Sequence, residues 1–144
     1  MRAFAILRHV PLDDAIAIYE TLYERGRHGR RPLSAERWMA GHGPAWAVAH
    51  VPIENLDFMT WEEASPERRA LARLYAERGG AFPPGLATYG PRARRRRTAR
   101  AFVQDGNHRV LAAELRGHKS ALMLMPEPEL RALADDAGAF EAAP

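Results

Sequence analysis

Five consecutive residues in the last third of the sequence combine anion-binding side chains with a glycine: Asp105-Gly106-Asn107-His108-Arg109. The first backbone N–H groups of a helix lack intrahelical partners, and the helix dipole adds partial positive charge there. Gly106 allows the backbone to approach a phosphate closely. Arg109 can donate two parallel hydrogen bonds to phosphate oxygens, and His108 can donate one or two more. We therefore predict that Gly106, Asn107, His108 and Arg109 bind phosphate at a helix start.

Two roles are possible for Asp105 in this turn. Its carboxylate can hold a Mg²⁺ ion, or it can orient the loop. A less specific interpretation of the whole turn is that Asp105 caps the helix and Arg109 lies on the surface. We favour phosphate binding because His108 and Arg109 follow the glycine directly and an arginine run lies shortly upstream.

The arginine run consists of Arg94, Arg95, Arg96 and Arg97. It can bind DNA or RNA phosphates, with an affinity that falls as the salt concentration rises. The alternative is a solvated loop, as charge runs usually are. If nucleic acid binds, we expect contacts to the backbone without reading of the bases.

The other charged residues support a basic surface suited to an anionic partner. Arg92 and Arg100 belong to the same basic cluster as the arginine run, and a second basic cluster comprises Arg25, Arg27, Arg30, Arg31 and Arg37. Acidic residues collect near the C-terminus, at Glu127, Glu129, Asp135, Asp136 and Glu141. Among the remaining carboxylates, Glu54 is the candidate general base, whereas Asp57, Glu62 and Glu63 are predicted surface acids.

Histidines and tryptophans outside the turn are predicted to be structural. His42 lies between two glycines and His50 in a predicted strand, but no His-x-x-His spacing supports a metal site. The three tryptophans are scattered rather than interleaved with the arginines, which favours core positions over base stacking.

Alternating strand and helix patterns from residue 46 onward predict a small mixed α/β (α+β) domain. The predicted strands are 46–53, 86–89, 99–104 and 120–125. The predicted helices are 12–25, a short one from Ser34 to Met39, one from Pro66 to Gly79-Gly80 with Leu71, Leu74 and Tyr75 buried, 109–116 and 127–133. We expect residues 1–45 to be a helical extension, 46–134 the domain, and 135–144 a flexible tail.

Composition limits the function classes. The 144 residues are 47% hydrophobic and 27% charged, which is typical of a globular domain. The absence of cysteine excludes disulfides, thiolate metal sites and a cysteine nucleophile. There is no secretory signal pattern at the start and no run of about 18 apolar residues, so we expect a soluble, cytoplasmic protein without membrane contact.

The string from Val103 to Gly117, VQDGNHRVLAAELRG, resembles the signature of the ParB/sulfiredoxin superfamily. That signature is a strand ending in Asp-Gly, a variable residue, His-Arg or Arg-Arg, and an alanine-rich helix ending in glycine. The match covers residues 101–125. A looser one extends back to Val51-Pro52-Ile53, and residues 1–45 have no counterpart.

The resemblance implies a ParB/sulfiredoxin-like mixed sheet with flanking helices, whose turn binds a nucleoside di- or triphosphate (ATP, ADP or CTP) with Mg²⁺. Sulfiredoxins have cysteine where this chain has Asn107, so sulfinic acid reduction is not expected. Segregation ParB proteins continue into a DNA-reading domain that this sequence does not include. Serine kinases of the superfamily use acids near the opening strand, where Glu54 is a loose positional match.

Two functional hypotheses follow. The first is a nucleotide-dependent phosphotransferase or phosphohydrolase in which Asp105, His108 and Glu54 are catalytic. The second is a DNA-binding accessory protein or a ParB-like nuclease that binds without sequence specificity through the arginine run. The N-terminal helix, with Tyr19 and Tyr23, is a candidate dimer contact.

Overall fold

The computed structural model describes residues 4–26, 35–78 and 83–142. It confirms the predicted mixed α/β class with a sheet whose described strands are ordered β1-β2-β6-β4-β5-β3. The strands are β1 (Ala5–Pro11), β2 (Ala45–Pro52), β3 (Leu56–Asp57), β4 (Gly85–Thr88), β5 (Ala101–Asp105) and β6 (Ser120–Pro126). The helices are α1 (Leu12–Gly26), α2 (Ala35–Ala40), α3 (Pro66–Glu77), α4 (Pro91–Arg95), α5 (Asn107–Leu115) and α6 (Glu127–Ala142), and a short 3-10 turn spans Ile53–Asn55.

The sheet mixes antiparallel and parallel pairs. β2 lies between β1 and β6 and is antiparallel to both. β4 is parallel to β6 but antiparallel to β5, and the short β3 is parallel to β5. The β4–β6 pairing includes only Gly85 with Met123 and Leu86 with Leu124. Beyond Gly85, therefore, the first residues of β6 have no β4 partner, and a gap opens beside α5.

The two faces of the sheet are covered to different extents. One face packs against α5 and α6 in a continuous core that includes Ala49, Val103 and Met123. On the other face, α1 and α2 cover Trp46 and Val48 of β2 together with Leu86 and Leu124. The rest of this second face lies on β4 and β5. There Thr88 pairs with Phe102 in register, and the side chain of Phe102 is 49% exposed.

The predicted ends of α3 and α5 are confirmed where they are described. The Ser65 side chain accepts a hydrogen bond from the N–H of Arg68 and caps α3, with Pro66 in the first turn. Gly117 has a φ of +81° after α5. Its N–H donates to Glu114 O, and the next N–H, of His118, donates to Ala113 O. This is the hydrogen-bond pattern of a Schellman cap.

Three local predictions are wrong. Ala5–Pro11 forms the edge strand β1, so the N-terminal extension is not only helical. The last helix does not end at Leu133 but continues as α6 to Ala142, with Ala137 buried in the core. The predicted apolar stripe of α3 is exposed at Leu71 and Leu74, 38% and 60%, because α3 packs through the small Ala72.

Some predicted features lie outside the described residues. These are the Ser34 cap, the Gly79-Gly80 helix end, and Arg27, Arg30 and Arg31 of the second basic cluster. None of the helices in the described ranges is long and apolar enough to cross a membrane.

Candidate anion-binding site

The predicted turn joins β5 directly to α5, as the sequence indicated. β5 ends at Asp105, and Gly106 turns the chain with a φ of +95°, a left-handed conformation that favours glycine. The Asp105 carboxylate accepts a hydrogen bond from the Gly106 N–H at 2.8 Å. The Asn107 side-chain oxygen accepts one from the N–H of Met59, also at 2.8 Å. Both side chains therefore contribute to holding the loops of the fold in place.

Gly106 is buried, and its missing side chain makes room for protein atoms. A Cβ built at this position would lie 2.8 Å from Gly85 Cα in β4 and 3.1 Å from Arg109 Nη1. The close approach that we predicted for a phosphate is thus made by the backbone of Gly85. The glycine is required here for its φ and for this contact between two backbones.

Arg109 folds back beside the turn. Its Nη1 donates a hydrogen bond to Pro84 O at 2.8 Å, which is the one hydrogen bond of this guanidinium to the residues that the structure describes. Burial lowers the pKa of Arg109, while the charges of Asp105 and Tyr75 raise it in part. A guanidinium has five N–H donors and stays charged in proteins. Arg109 is therefore a partly desolvated cation with donors to spare.

A cavity of about 190 Å³, the α5 cavity, lies in the gap between α5 and β6. It is lined by Pro83, Gly85, Arg109, Val110, Ala113, Arg116, His118, Ser120, Ala121, Leu122 and His50. The lining thus includes two arginines and two histidines but no carboxylate. The Nδ1 atom of His50 is buried and has no hydrogen-bond partner in the described part of the chain. Arg116 is already engaged, because it donates to Tyr75 O and Ala76 O near the end of α3.

Of the predicted turn residues, only Arg109 lines the α5 cavity. Glu54, the predicted general base, lines a different groove together with Asp57, Glu63 and Glu114. Within the described ranges, no group of three or more histidine, aspartate or glutamate side chains is placed to hold a metal ion. The phosphate-binding, catalytic and metal roles of Asp105, Gly106, Asn107 and His108 stay predictions.

The arginine run is divided by α4 between two surfaces. Arg94 pairs with Asp136 at 3.2 Å, and Arg96 pairs with Asp57 at 3.3 Å. Arg95 and Arg97 line, with Arg94, a wide groove between α4 and α6. The run is therefore partly helical, and its members do not all point towards one ligand.

A second basic surface combines arginines of the predicted cluster with residues that the sequence did not link to them. A groove of about 340 Å³, the basic groove, lies on the part of the sheet that α1 and α2 do not cover. Its lining comprises His42, Asp57, Thr88, Gly90, Pro91, Arg92, Ala93, Arg96, Thr98, Arg100, Phe102 and Gln104. The alternation of buried and exposed residues on β5, with Phe102 and Gln104 outward, is the signal that could have revealed it.

His42 and Glu129 form a pair that the sequence does not suggest. His42 Nδ1 lies 2.6 Å from Glu129 Oε2, and the other carboxylate oxygen accepts a hydrogen bond from the N–H of Tyr89. The imidazole also makes edge contacts with Trp38 and Trp46. His42 is thus held in one orientation at the end of the basic groove.

Comparisons of the sequence with protein-family models and with curated proteins, and of the structure with solved structures, found no match. The resemblance to the ParB/sulfiredoxin superfamily stays a prediction from the short signature around residues 101–125.

Proposed function

We propose that the protein binds a phosphate group of a small phosphorylated ligand in the α5 cavity. The observation that carries this proposal is the half-buried Arg109, which lines a cavity without any lining carboxylate and donates one hydrogen bond to the described residues. A cation that has lost part of its hydration is stabilised by an anion that restores its hydrogen bonds. His50 lines the same cavity and places a second polar side chain beside it.

The size of the cavity limits the ligand. A water molecule takes up about 30 Å³ in the liquid, so the cavity of about 190 Å³ has the volume of several waters. That is enough for a phosphate group. Pockets that enclose a whole drug-sized ligand are larger, about 300–1,000 Å³. A nucleoside di- or triphosphate such as ATP, ADP or CTP would therefore place its terminal phosphate inside and its sugar and base outside.

The proposal is restricted to binding. Transfer of the phosphoryl group requires a base or a positioned acceptor next to it, and Glu54 lines another groove. Mg²⁺ usually binds through one or two carboxylates together with the phosphates of the substrate. In this proposal the nucleotide brings Mg²⁺ with it, and Asp105 is the nearest predicted carboxylate in the sequence.

Calorimetric titration tests the proposal with inorganic phosphate, ATP, ADP and CTP, each with and without Mg²⁺. We expect at least one of these anions to bind. Replacement of Arg109 by Gln should weaken binding about tenfold or more, as is typical when a charged hydrogen bond of about 1.5–3 kcal/mol is lost.

Arg131→Gln is the matched control. Arg131 is exposed, pairs with Glu127 at 2.9 Å, and lies outside the lining of the α5 cavity. This variant should bind like the wild type. If wild type binds none of the anions, or if Arg109→Gln binds as tightly as Arg131→Gln, the proposal is wrong.

A further inference from the structure

The basic groove differs from the α5 cavity in position, size and lining. It lies on the sheet face that α1 and α2 leave uncovered, where Thr88 and Gln104 join β4 and β5 through a side-chain hydrogen bond of 3.1 Å. Three arginines line it, and one carboxylate, Asp57, offsets only part of their charge. The groove therefore has a net positive lining.

Two of these arginines differ from the third in their ion pairs. Arg92 and Arg100 make no ion pair with any residue that the structure describes, whereas Arg96 pairs with Asp57. Arg100 also borders the neighbouring groove that contains Glu54, Glu63 and Glu114. A polyanion on the basic groove would be repelled from that acidic side, so Arg100 marks one limit of the surface that it can occupy.

An aromatic ring lies among the charges. Phe102, the second residue of β5, lines the groove, and about half of it is exposed. A ring on an open sheet surface, bordered by arginines, offers a base a stacking surface and its phosphates a set of cations.

We propose that the basic groove binds single-stranded nucleic acid, with one base stacked on Phe102 and adjacent phosphates bound by Arg92, Arg96 and Arg100. Duplex nucleic acid suits the groove less well, because its bases are stacked on each other and cannot lie flat on the ring. His42, held by Glu129, and the Thr88–Gln104 pair supply polar groups around the base. This proposal is independent of phosphate binding in the α5 cavity.

Fluorescence anisotropy with labelled eight-nucleotide oligomers, dT8 and U8, tests the proposal against a duplex of the same length. We expect the single strands to bind more tightly than the duplex at low salt. Phe102→Ala should weaken single-strand binding by roughly 5- to 150-fold, the range for the loss of one stacked base. Because Phe102 is exposed, circular dichroism should show an unchanged fold.

Charge variants test the phosphate contacts. Arg100→Gln should weaken binding and reduce the slope of log affinity against log salt by about 0.7, the value for one phosphate contact on a single strand. Asp57→Asn should strengthen binding, because it removes the one lining carboxylate and frees Arg96. A surface that binds no anion would show neither change.

Two controls distinguish binding in the basic groove from binding elsewhere on the protein. Leu115→Ala removes an apolar side chain that is 47% exposed on α5, outside the lining of the groove, and should leave affinity unchanged. Arg109→Gln should affect phosphate binding but not oligonucleotide binding. The proposal is overturned if no oligomer binds at low salt, if the duplex binds more tightly, or if Phe102→Ala binds like Leu115→Ala.

Discussion

The α5 cavity and the basic groove differ in how their residues are distributed along the chain. The turn before α5 is a contiguous motif, yet Asp105, Gly106 and Asn107 make contacts within the fold. The basic groove draws residues from β3, β4, α4 and β5, and from the end of α2. The contiguous motif 105–109 thus forms a structural turn in which Arg109 is the one cation that lines a cavity. The larger polar surface, the basic groove, is formed by residues that are dispersed along the sequence.

Both regions contain arginines, but the availability of those arginines differs. In the α5 cavity, Arg116 donates to carbonyl oxygens of α3, and Arg109 donates to Pro84 O. In the basic groove, Arg92 and Arg100 have no ion-pair partner among the described residues. Charge composition therefore indicates a basic surface, but only the contacts of each guanidinium show which cations a ligand can reach.

The largest effect expected from this comparison is the cost of Gly106→Ala. The alanine would have to keep the left-handed backbone conformation of the turn, which costs about 1–2 kcal/mol. Its Cβ would lie 2.8 Å from Gly85 Cα. Overpacking of this kind costs about 1–3 kcal/mol more. We expect urea denaturation to show a total loss of about 2–5 kcal/mol in the free energy of unfolding.

Gly117→Ala is the control for Gly106→Ala. Gly117 also has a positive φ, +81°, but a Cβ there would meet nothing within 4 Å. This variant should lose only the conformational part, about 1–2 kcal/mol. Equal losses in the two variants would show that Gly106 and Gly85 are not in tight contact. The turn would then have space for a ligand.

A smaller effect is expected for His50→Leu in the α5 cavity, an increase of about 1–2 kcal/mol in the free energy of unfolding. Removal of a buried polar atom that lacks a partner stabilises a fold by roughly that amount, and His50 Nδ1 is such an atom within the described structure. We expect a higher melting temperature together with weaker phosphate binding. The melting temperature should rise because the variant lacks the unpartnered Nδ1. Phosphate binding should weaken because the cavity loses a polar lining side chain.

Leu122→Met controls for repacking of the same cavity, because it conserves volume and adds no polar group. It should leave both quantities nearly unchanged. If His50→Leu raises the melting temperature but leaves phosphate affinity at the wild-type value, the imidazole is only an unsatisfied core group, and Arg109 alone would support the proposed function.

The elements predicted from the sequence are those with local signals. The Ser65-Pro66 start of α3 and the Gly117 end of α5 are set by backbone hydrogen bonds within a few residues, so the residue types suffice to predict them. The strand–turn–helix–strand order around Asp105 follows for the same reason. The mixed α/β class depends on this order and could be inferred from it.

Features that depend on tertiary contacts could not be predicted. β1 carries Arg8 and His9 in an edge position and is largely exposed, so it lacks the alternation of a half-buried strand. Arg116 and the carbonyls of α3 that it binds lie about forty residues apart in sequence, as do Tyr89 and Glu129. No signal within α3 indicates which of its faces is buried. Its larger apolar residues, Leu71 and Leu74, were predicted to be buried but are exposed.

The smallest predicted effect concerns Tyr89, which shares the carboxylate of Asp136 with Arg94. The Tyr89 hydroxyl donates to Asp136 at 2.7 Å, and Arg94 pairs with the same carboxylate. Burial, followed by the hydrogen bond to Asp136, raises the pKa of Tyr89 to about 12. Replacement by Phe should cost about 1 kcal/mol near pH 8, the usual value of one hydrogen bond.

The cost of Tyr89→Phe should depend on pH in a defined direction. An unfolded tyrosine loses its proton near pH 10, while the folded phenol keeps it until about pH 12. The stabilisation is therefore complete below pH 10 and is lost as the pH rises towards 12. Urea midpoints of wild type and Tyr89→Phe should converge across this window.

Asp136→Asn should lower the pKa of Tyr89 only in part, because burial is the larger cause. A constant difference between wild type and Tyr89→Phe from pH 8 to 12 would show that the hydroxyl is solvated and makes no hydrogen bond to Asp136.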